Sequence, residues 1–175
     1  MSSIAIVYFS MKGQNIGPGM KIVDLAKGHT AAAAEVIQGA VGGDLYELKT
    51  VKTYDPDHMK LIYEAKDELE RGVKPELQTY PDMTGYDTVF LGYPNWWNHL
   101  PMPVVSFLDH TGWAGKRIIP FVTSGGSGFG DSLADLRAHC PGAQIAAGGA
   151  FLGHEVESSG PAIAAWAKAQ LRDPA

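Results

Sequence analysis

The stretch Ile4-Ala5-Ile6-Val7-Tyr8-Phe9 decides the fold of this chain, because it is continuously apolar from end to end. A strand with one face in water alternates apolar and polar residues. A strand of a parallel sheet is covered by helices on both faces and is typically an unbroken apolar run. We therefore predict that this stretch is a parallel strand, with helices above and below the sheet.

Strand-like runs recur along the chain, and each is followed by a helical pattern. The predicted strands are residues 4–9, 44–50, 88–93, 117–122 and 144–152. The helices are predicted to begin near Thr30, Asp55-Pro56-Asp57, Pro101 or Pro103, Gly130, and Ser159-Gly160-Pro161. Strands that alternate with helices form a parallel sheet with right-handed crossovers. The pattern predicts one α/β domain over residues 1–175, without internal repeats.

Three local features carry expectations of their own. Residues 10–27 contain three glycines and a proline and are predicted to be a loop. Pro120 forfeits a ladder hydrogen bond inside its strand, so we expect a local bulge or a missing bond there. The second helix is predicted to turn one face inward, formed by Met59, Ile62, Tyr63, Lys66 and Leu69.

Composition excludes several classes of partner. The formal net charge is −5, whereas nucleic-acid phosphates require a basic face, so no nucleic-acid partner is expected. No stretch approaches the roughly 18 apolar residues of a membrane helix, so no membrane partner is expected. Cys140 is the only cysteine, which rules out an internal disulfide and favours a reducing cytoplasm. A lone cysteine can be a nucleophile, but we expect Cys140 to be a structural or incidental thiol.

The sequence lacks the residue spacing that several known catalytic and ligand-binding motifs require. Gly126-x-Gly128 requires a third glycine where Asp131 stands, so the dinucleotide-binding pattern is absent. No Gly-Lys pair precedes Ser or Thr, which excludes a P-loop. Phe129 occupies the second position after Ser127, so the nucleophile elbow fails too. The histidines are scattered and no cysteine pair exists, so no metal site is expected.

Two loops remain, and each directly follows a predicted strand. They are Tyr93-Pro94-Asn95-Trp96-Trp97-Asn98 and Thr123-Ser124-Gly125-Gly126-Ser127-Gly128-Phe129-Gly130. Ligands of open α/β sheets bind at the carboxyl ends of strands. The first loop offers flat aromatic faces and the second offers backbone N–H groups, which together suit a planar cofactor with polar edges.

The first strand-to-helix turn is a candidate anion site. Ser10 ends the first strand, and Gly28-His29-Thr30-Ala31 begins the first helix. Free N–H groups and the positive end of the helix dipole attract anions, and the Ser10 and Thr30 hydroxyls can add donors. Thr30 can equally be a plain N-cap. In a sheet of order 2-1-3-4-5, this turn and the two loops lie side by side.

The chain resembles the flavodoxin family over nearly its whole length. Its motifs are similar to those of a bacterial FMN-binding subgroup: Tyr8-Phe9-Ser10, Gly92-Tyr93-Pro94-Asn95-Trp96-Trp97 and Pro120-Phe121-Val122-Thr123-Ser124-Gly125-Gly126-Ser127-Gly128-Phe129-Gly130. The resemblance implies an α/β flavodoxin-like three-layer sandwich with a five-stranded parallel sheet in the order 2-1-3-4-5. It also implies FMN as the cofactor, and the family tolerates proline at position 120.

Carried over residue by residue, the resemblance implies a complete set of cofactor contacts. The phosphate would be held by Ser10, Gly28, His29, Thr30 and Ala31. One side of the flavin ring would be bordered by Tyr93, Pro94, Asn95, Trp96, Trp97 and Asn98. The polar edge of the ring would be wrapped by Thr123, Ser124, Gly125, Gly126, Ser127 and Gly128. Adjacent side chains of an extended segment point oppositely, so we expect only one of the two indoles to stack on the ring.

The resemblance leaves two functional classes open. In the first, the protein is a low-potential electron carrier that docks an exposed flavin edge on redox partner proteins. In the second, it is an FMN-dependent NAD(P)H oxidoreductase that acts on quinones or similar small electron acceptors. The flavodoxin pattern favours the carrier, for which no catalytic residue is required because the flavin carries the electrons. A flavin-free binding module on the same fold is a third alternative.

Overall fold

Strands and helices alternate along the chain in the computed structural model, which describes residues 3–172; residues 1–2 and 173–175 of the expected domain lie outside the described residues. The strands are β1 (Ile4–Tyr8), β2 (Gly13–Ile16), β3 (Ile22–Leu25), β4 (Asp44–Glu47), β5 (Thr88–Pro94), β6 (Arg117–Ser124), β7 (Gln144–Ile145) and β8 (Gly149–Leu152). The helices are α1 (His29–Val41), α2 (His58–Arg71), α3 (Met102–Asp109), α4 (Ser132–His139) and α5 (Gly160–Arg172). Within residues 3–172, no helix has the length and apolar character to cross a bilayer.

The main sheet is parallel throughout. Its strand order is β4-β1-β5-β6-β7, and β8 also pairs with β6. In this register, Ile6 of β1 lies between Leu45 of β4 and Phe90 of β5. Because β2 and β3 form a separate small sheet, the main sheet has the predicted order 2-1-3-4-5. The predicted fold class is confirmed.

Side chains of β1 alternate between two apolar cores, which explains its unbroken apolar run. Ala5 and Val7 face the core under α2, α3 and α4. Ile6 faces the core under α1 and α5. All three side chains are 0% exposed. The sheet is therefore the middle layer of a three-layer sandwich, and its carboxyl edge is the place where loops from several strands meet.

The fifth predicted strand is split in two opposite Pro120. β7 pairs with β6 up to Ile118, and β8 resumes the pairing at Phe121. Between them, Gly148 adopts a φ of +78°, and a Cβ there would lie 2.4 Å from the Pro120 carbonyl oxygen. The interruption of pairing expected at Pro120 is thus confirmed. It takes the form of a break between β7 and β8 in the neighbouring strand.

Residues 10–27 form a hairpin, so the prediction of a loop is wrong. β2 and β3 pair antiparallel, with Gly13 opposite Leu25. Gly13 and Gly19 have φ values of +87° and +69°, which other residues rarely adopt. The glycines mark the bends of a short hairpin. The sequences of the two strands show no apolar alternation that would indicate a core-facing strand, and Ile22 of β3 is 49% exposed.

The inward face of α2 also differs from the prediction. The buried residues are Leu61, Ala65 and Glu68. Met59 and Tyr63, which were expected inside, are 49% and 57% exposed. Glu68 is buried because Tyr54 Oη and Lys52 Nζ each donate to its carboxylate at 2.6 Å. Because the buried face of α2 includes a charged residue, the pattern of apolar residues in the sequence does not indicate how this helix is oriented.

We expect Gly92→Ala to lower the free energy of unfolding by about 2–3 kcal/mol, the upper part of the range for core overpacking. Gly92 lies opposite Phe121 in the neighbouring strand. A Cβ at this glycine would lie 2.2 Å from atoms of the Phe121 ring, which is 0% exposed and has no room to retreat. Urea unfolding followed by circular dichroism measures the change.

Gly39→Ala is the matched control. Gly39 lies in α1, and a Cβ there would meet nothing within 4 Å. Alanine is the better helix former, so this variant is expected to gain about 0.5–1 kcal/mol. Equal stability of wild type and Gly92→Ala would contradict the packing argument.

Candidate functional site

A cleft of about 220 Å³ opens at the carboxyl edge of the sheet, beyond the ends of β1, β5 and β6. The predicted residues that line it are Ser10, His29, Thr30, Pro94, Asn95, Trp96, Thr123, Ser124 and Gly125. All three predicted segments therefore contribute to one cleft. The predicted residues outside its lining are Gly28, Ala31, Tyr93, Trp97, Asn98, Gly126, Ser127 and Gly128.

The turn between β1 and α1 is built around Gly28, the N-cap residue of α1. A Cβ at Gly28 would lie 2.2 Å from Ser10 Oγ and 2.5 Å from the Met11 carbonyl oxygen, so only glycine fits. Ser10 Oγ accepts a hydrogen bond from the Ala31 N–H at 3.1 Å. The cap on this helix is thus the Ser10 hydroxyl, and the alternative that Thr30 is the N-cap is wrong. The positive end of the α1 dipole lies at the cleft wall.

Thr30 instead joins the turn to the end of β6. Its hydroxyl lies 2.7 Å from the Thr123 hydroxyl, and the two residues are only 1% and 4% exposed. In such a pair one hydroxyl donates and the other accepts, so the accepting hydroxyl keeps its own hydrogen for another acceptor. The pair can therefore hold the cleft together and still offer a donor to a bound anion.

The two indoles after β5 have different surroundings. Trp96 lines the cleft and packs edge-to-face on Phe9 and Tyr54, with ring centroids 5.2 and 5.5 Å apart. Trp97 is 40% exposed, and its Nε1 donates to the Ile62 carbonyl of α2 at 2.6 Å. Trp96 is therefore the indole placed to contact a ligand in the cleft.

A tight turn separates the indoles, in place of the extended segment that was expected. Trp96 and His99 form an antiparallel bridge. Between them, Trp97 and Asn98 have φ values of +56° and +66°, a conformation that is strained for a bulky residue. Contacts hold the turn from outside: the Asp131 N–H donates to the Asn98 carbonyl at 2.6 Å. Tyr93, by contrast, lies in the core, with its Oη 2.9 Å from Ser132 Oγ.

The glycine-rich loop after β6 is less open than its sequence suggests. Ser124 Oγ accepts from the N–H groups of Gly126 and Gly128 at 3.2 and 3.0 Å. Those two donors are already used, so the expectation that they wrap a cofactor edge is not met in this conformation. The Asn95 side chain ties the two loops together, because its Nδ2 donates to the Gly128 carbonyl at 2.8 Å and to Ser127 Oγ at 3.0 Å.

Six lining residues were missed by sequence reasoning. They are Met11, Asn15, His58, Leu61, Ile62 and Gly153. Two come from the hairpin region and three from α2, which together cover one side of the cleft. The hairpin and α2 are joined by a long-range hydrogen bond, in which the His58 N–H donates to Gln14 Oε1 at 2.8 Å. No local pattern in the sequence indicates that bond.

A second cavity of about 570 Å³ adjoins the cleft and shares Ser10 and Met11 with it. Its cationic lining residues are Lys12, Lys27, Lys49 and Lys52. Three of these charges have carboxylate partners, because Lys27 is paired with Glu35, Lys49 with Glu47, and Lys52 with Glu64 and Glu68. The attraction of this cavity for anions is correspondingly reduced.

Burial raises the pKa of two ionisable groups, Cys140 and Tyr8, further above their ordinary values. Burial and the neighbouring Asp109 charge raise the pKa of the Cys140 thiol to about 12, so this cysteine is a poor nucleophile. Burial, together with Glu47 and Glu35, raises the pKa of Tyr8 to about 12. No cluster of three or more His, Cys, Asp or Glu residues suited to a metal ion occurs within residues 3–172.

Comparison with known proteins agrees with the fold. The sequence profile of the flavodoxin family matches residues 22–169. A candidate flavoprotein from Bacteroides eggerthii is 30% identical, with a TM-score of 0.74 over 97% of this chain and 98% of that chain. One from Bacteroides uniformis is 27% identical, with a TM-score of 0.71 over 95% and 98%. The flavoprotein of Lactobacillus acidophilus, solved in complex with FMN, is 22% identical, with a TM-score of 0.65 over 90% and 98%. No curated protein matches the sequence.

An open parallel sheet in this order, with a cleft where the strand order reverses, is the architecture of flavodoxin-type proteins. Because the family profile covers most of the chain, the chain belongs to the flavodoxin family. The resemblance inferred from the loop sequences is confirmed at the level of the family. Among its structural neighbours, the Lactobacillus acidophilus protein binds FMN.

A double-mutant cycle tests the link between Thr30 and Thr123. Either Thr30→Val or Thr123→Val alone leaves one buried hydroxyl unpaired, which costs about 1–3 kcal/mol of unfolding free energy. The double variant removes both hydroxyls, so its loss is expected to be smaller than the sum by at least about 0.5 kcal/mol. Urea unfolding of the four proteins measures the coupling. Strictly additive losses would show that the two hydroxyls do not interact.

Cys140 is expected to resist alkylation in the folded protein. A pKa of about 12 gives a thiolate fraction at pH 8 that is lower by roughly a thousandfold than that of an ordinary thiol. Iodoacetamide labelling followed by mass spectrometry is expected to leave the native protein unmodified and to label it fully in urea. Rapid labelling of the native protein would contradict the burial of the thiol.

Proposed function

We propose that this protein is an FMN-binding flavodoxin that carries electrons between redox partner proteins in the cytoplasm. The observation that carries the proposal is the convergence of three features in one cleft. These features are the positive end of α1, the indole of Trp96, and the ends of the loops after β5 and β6. FMN combines an anionic phosphate with a flat ring that has a polar edge, so it matches all three.

Different residues of the cleft suit different parts of the cofactor. The α1 N-terminus, with Ser10 and the pair of Thr30 and Thr123, suits the phosphate, because N–H groups and hydroxyls donate to phosphate oxygens. Trp96 offers an apolar aromatic surface to the ring, which contributes about 0.5–1.5 kcal/mol beyond burial of area. Bound FMN supplies the one- and two-electron chemistry. The family match and the FMN complex of the Lactobacillus acidophilus protein support this assignment.

The size of the cleft favours an exposed cofactor edge. Pockets that enclose drug-sized ligands measure roughly 300–1,000 Å³, whereas this cleft measures about 220 Å³. FMN is larger than this cleft, so part of the bound cofactor would lie outside it, and we infer that this part includes an edge of the ring. An exposed edge is what electron transfer to a docked partner requires.

The second candidate function is that of an FMN-dependent NAD(P)H oxidoreductase with quinones or similar small acceptors as substrates. The cavity of about 570 Å³ beside the cleft favours it, because a second ligand placed there would lie next to the flavin. Three of the four lysines that line this cavity are engaged by carboxylates. For that reason the carrier remains the better supported function.

Titration of the purified apoprotein with FMN tests the proposal. We expect saturation at one FMN per chain, with quenched flavin fluorescence because Trp96 lies at the ring. After gel filtration the protein should remain yellow. A colourless protein after incubation with FMN would overturn the flavodoxin assignment.

Steady-state kinetics separates the carrier from the oxidoreductase. Holoprotein reduced anaerobically with dithionite is expected to pass electrons to a one-electron acceptor such as cytochrome c. The same holoprotein is expected to oxidise NADH and NADPH no faster than free FMN does. Sustained NAD(P)H oxidation in the presence of a quinone would assign the second function instead.

A further inference from the structure

The cleft contains two buried polar atoms that have no hydrogen-bond partner among residues 3–172: His58 Nδ1 and Asn95 Oδ1. Both residues line the cleft. An unpaired buried polar atom costs about 1–3 kcal/mol, so folded proteins rarely retain one unless it has a further role. Two such atoms in one cleft, contributed by different elements, indicate contacts that a ligand completes.

The orientation of the Asn95 amide follows from its neighbours. The Gly128 carbonyl oxygen can only accept, so the amide nitrogen of Asn95 must be the atom that lies 2.8 Å from it. The amide oxygen is therefore the buried atom that has no partner, on a residue that lines the cleft. It can accept a hydrogen bond from a ligand and cannot donate one.

His58 reaches the cleft from α2, and the hairpin holds it there. It is the first residue of α2, and its backbone N–H donates to Gln14 Oε1 of β2 at 2.8 Å. Asp57, the N-cap, accepts from the Lys60 N–H at 3.0 Å. Two N–H groups in the first turn of α2 therefore have acceptors. The acceptor of the His58 N–H is Gln14, which lies 44 residues earlier in the chain.

We propose that His58 is a cofactor-binding residue, which hydrogen-bonds FMN through Nδ1 while Asn95 Oδ1 accepts from a ring N–H. The proposal rests on the proposed function and extends it to an element outside the sequence motifs. The polar edge of a flavin carries both carbonyl acceptors and an N–H donor. Asn95 matches the donor, and His58 can match either kind of group through its tautomer.

The hairpin of β2 and β3 takes part in the proposed site through Gln14. Gln14 is a positioning residue, because it acts on the cofactor only through the placement of α2. The Asn15 side chain, which also lines the cleft, donates to the Met11 carbonyl at 2.8 Å and steadies the hairpin at this point. The hairpin therefore connects the cleft to α2.

Two substitutions at His58 test the proposal. The amide of Asn can place a polar atom where Nδ1 lies, whereas Phe keeps the ring shape and removes the polar atom. His58→Phe is expected to weaken FMN binding by about 3- to 10-fold, the effect of one lost hydrogen bond. His58→Asn is expected to bind within about threefold of wild type, since it restores the hydrogen bond. Fluorescence titration gives both dissociation constants.

The thermal stability of the apoprotein separates binding from structure. Because Nδ1 has no partner to lose in the protein, His58→Phe should not lower the melting temperature of the apoprotein. His110→Phe is the matched control: His110 stacks on Tyr80 at a centroid distance of 4.0 Å, outside the cleft lining. This control should leave FMN affinity unchanged.

The outcomes are distinct. Equal affinity of wild type, His58→Phe and His58→Asn would overturn the proposal while the flavodoxin function stands. A large drop in the melting temperature of apo His58→Phe would assign His58 a structural role instead. If the wild type itself fails to bind FMN, the proposed function and this inference both fail.

Gln14 supplies an independent test with a conservative rescue. Gln14→Ala removes the acceptor of the His58 N–H and is expected to weaken FMN binding by about 3-fold or more, the loss of one hydrogen bond. Gln14→Glu keeps an acceptor oxygen at a helix N-terminus, where negative charge is favourable, so it should restore affinity. Wild-type affinity in Gln14→Ala would show that the hairpin does not position His58.

Discussion

The buried hydrogen bond between the Thr30 and Thr123 hydroxyls is the contact on which the cleft depends. It joins residues 93 positions apart in the chain, at a distance of 2.7 Å. The Thr123 carbonyl also accepts from the Asn95 N–H at 3.0 Å. The first turn and the loops after β5 and β6 therefore meet at Thr123. These polar links, together with the packing of Trp96 on Phe9 and Tyr54, set the relative positions of the loops.

Polar links also form the other side of the cleft. The hairpin holds α2 through Gln14, and α2 contributes His58, Leu61 and Ile62. Here the protein retains unpaired buried atoms that lower its stability. Destabilising features of this kind concentrate at functional sites, where hydrogen bonds to a bound ligand can offset the loss of stability. The stability of the apoprotein and its affinity for a cofactor are thus expected to respond oppositely to changes at His58.

Several elements could be predicted because their signals are local. The apolar run at residues 4–9 indicated a buried parallel strand, and Pro120 indicated the break that splits the neighbouring strand. The orientation of α2 could not be predicted, since Glu68 is buried only because Tyr54 and Lys52 reach it from the preceding segment. The hairpin at residues 13–25 was missed for a related reason, because its short strands carry no core-facing alternation.

From the amino-acid sequence, apolar periodicity indicated an α/β sheet covered on both faces, and the motifs that carry the family resemblance indicated the strand order and the three segments that line the cleft. Each of these depends on apolar periodicity or on a contiguous motif. Only the tertiary structure decided which donors remain available. Ser124 occupies the N–H groups of Gly126 and Gly128, and Ser10 caps α1 in place of Thr30. The tertiary structure also decided that His58 joins the site. Hydrogen bonds between distant segments leave no periodic trace in a sequence, because they depend on where the folded backbone brings single polar atoms together.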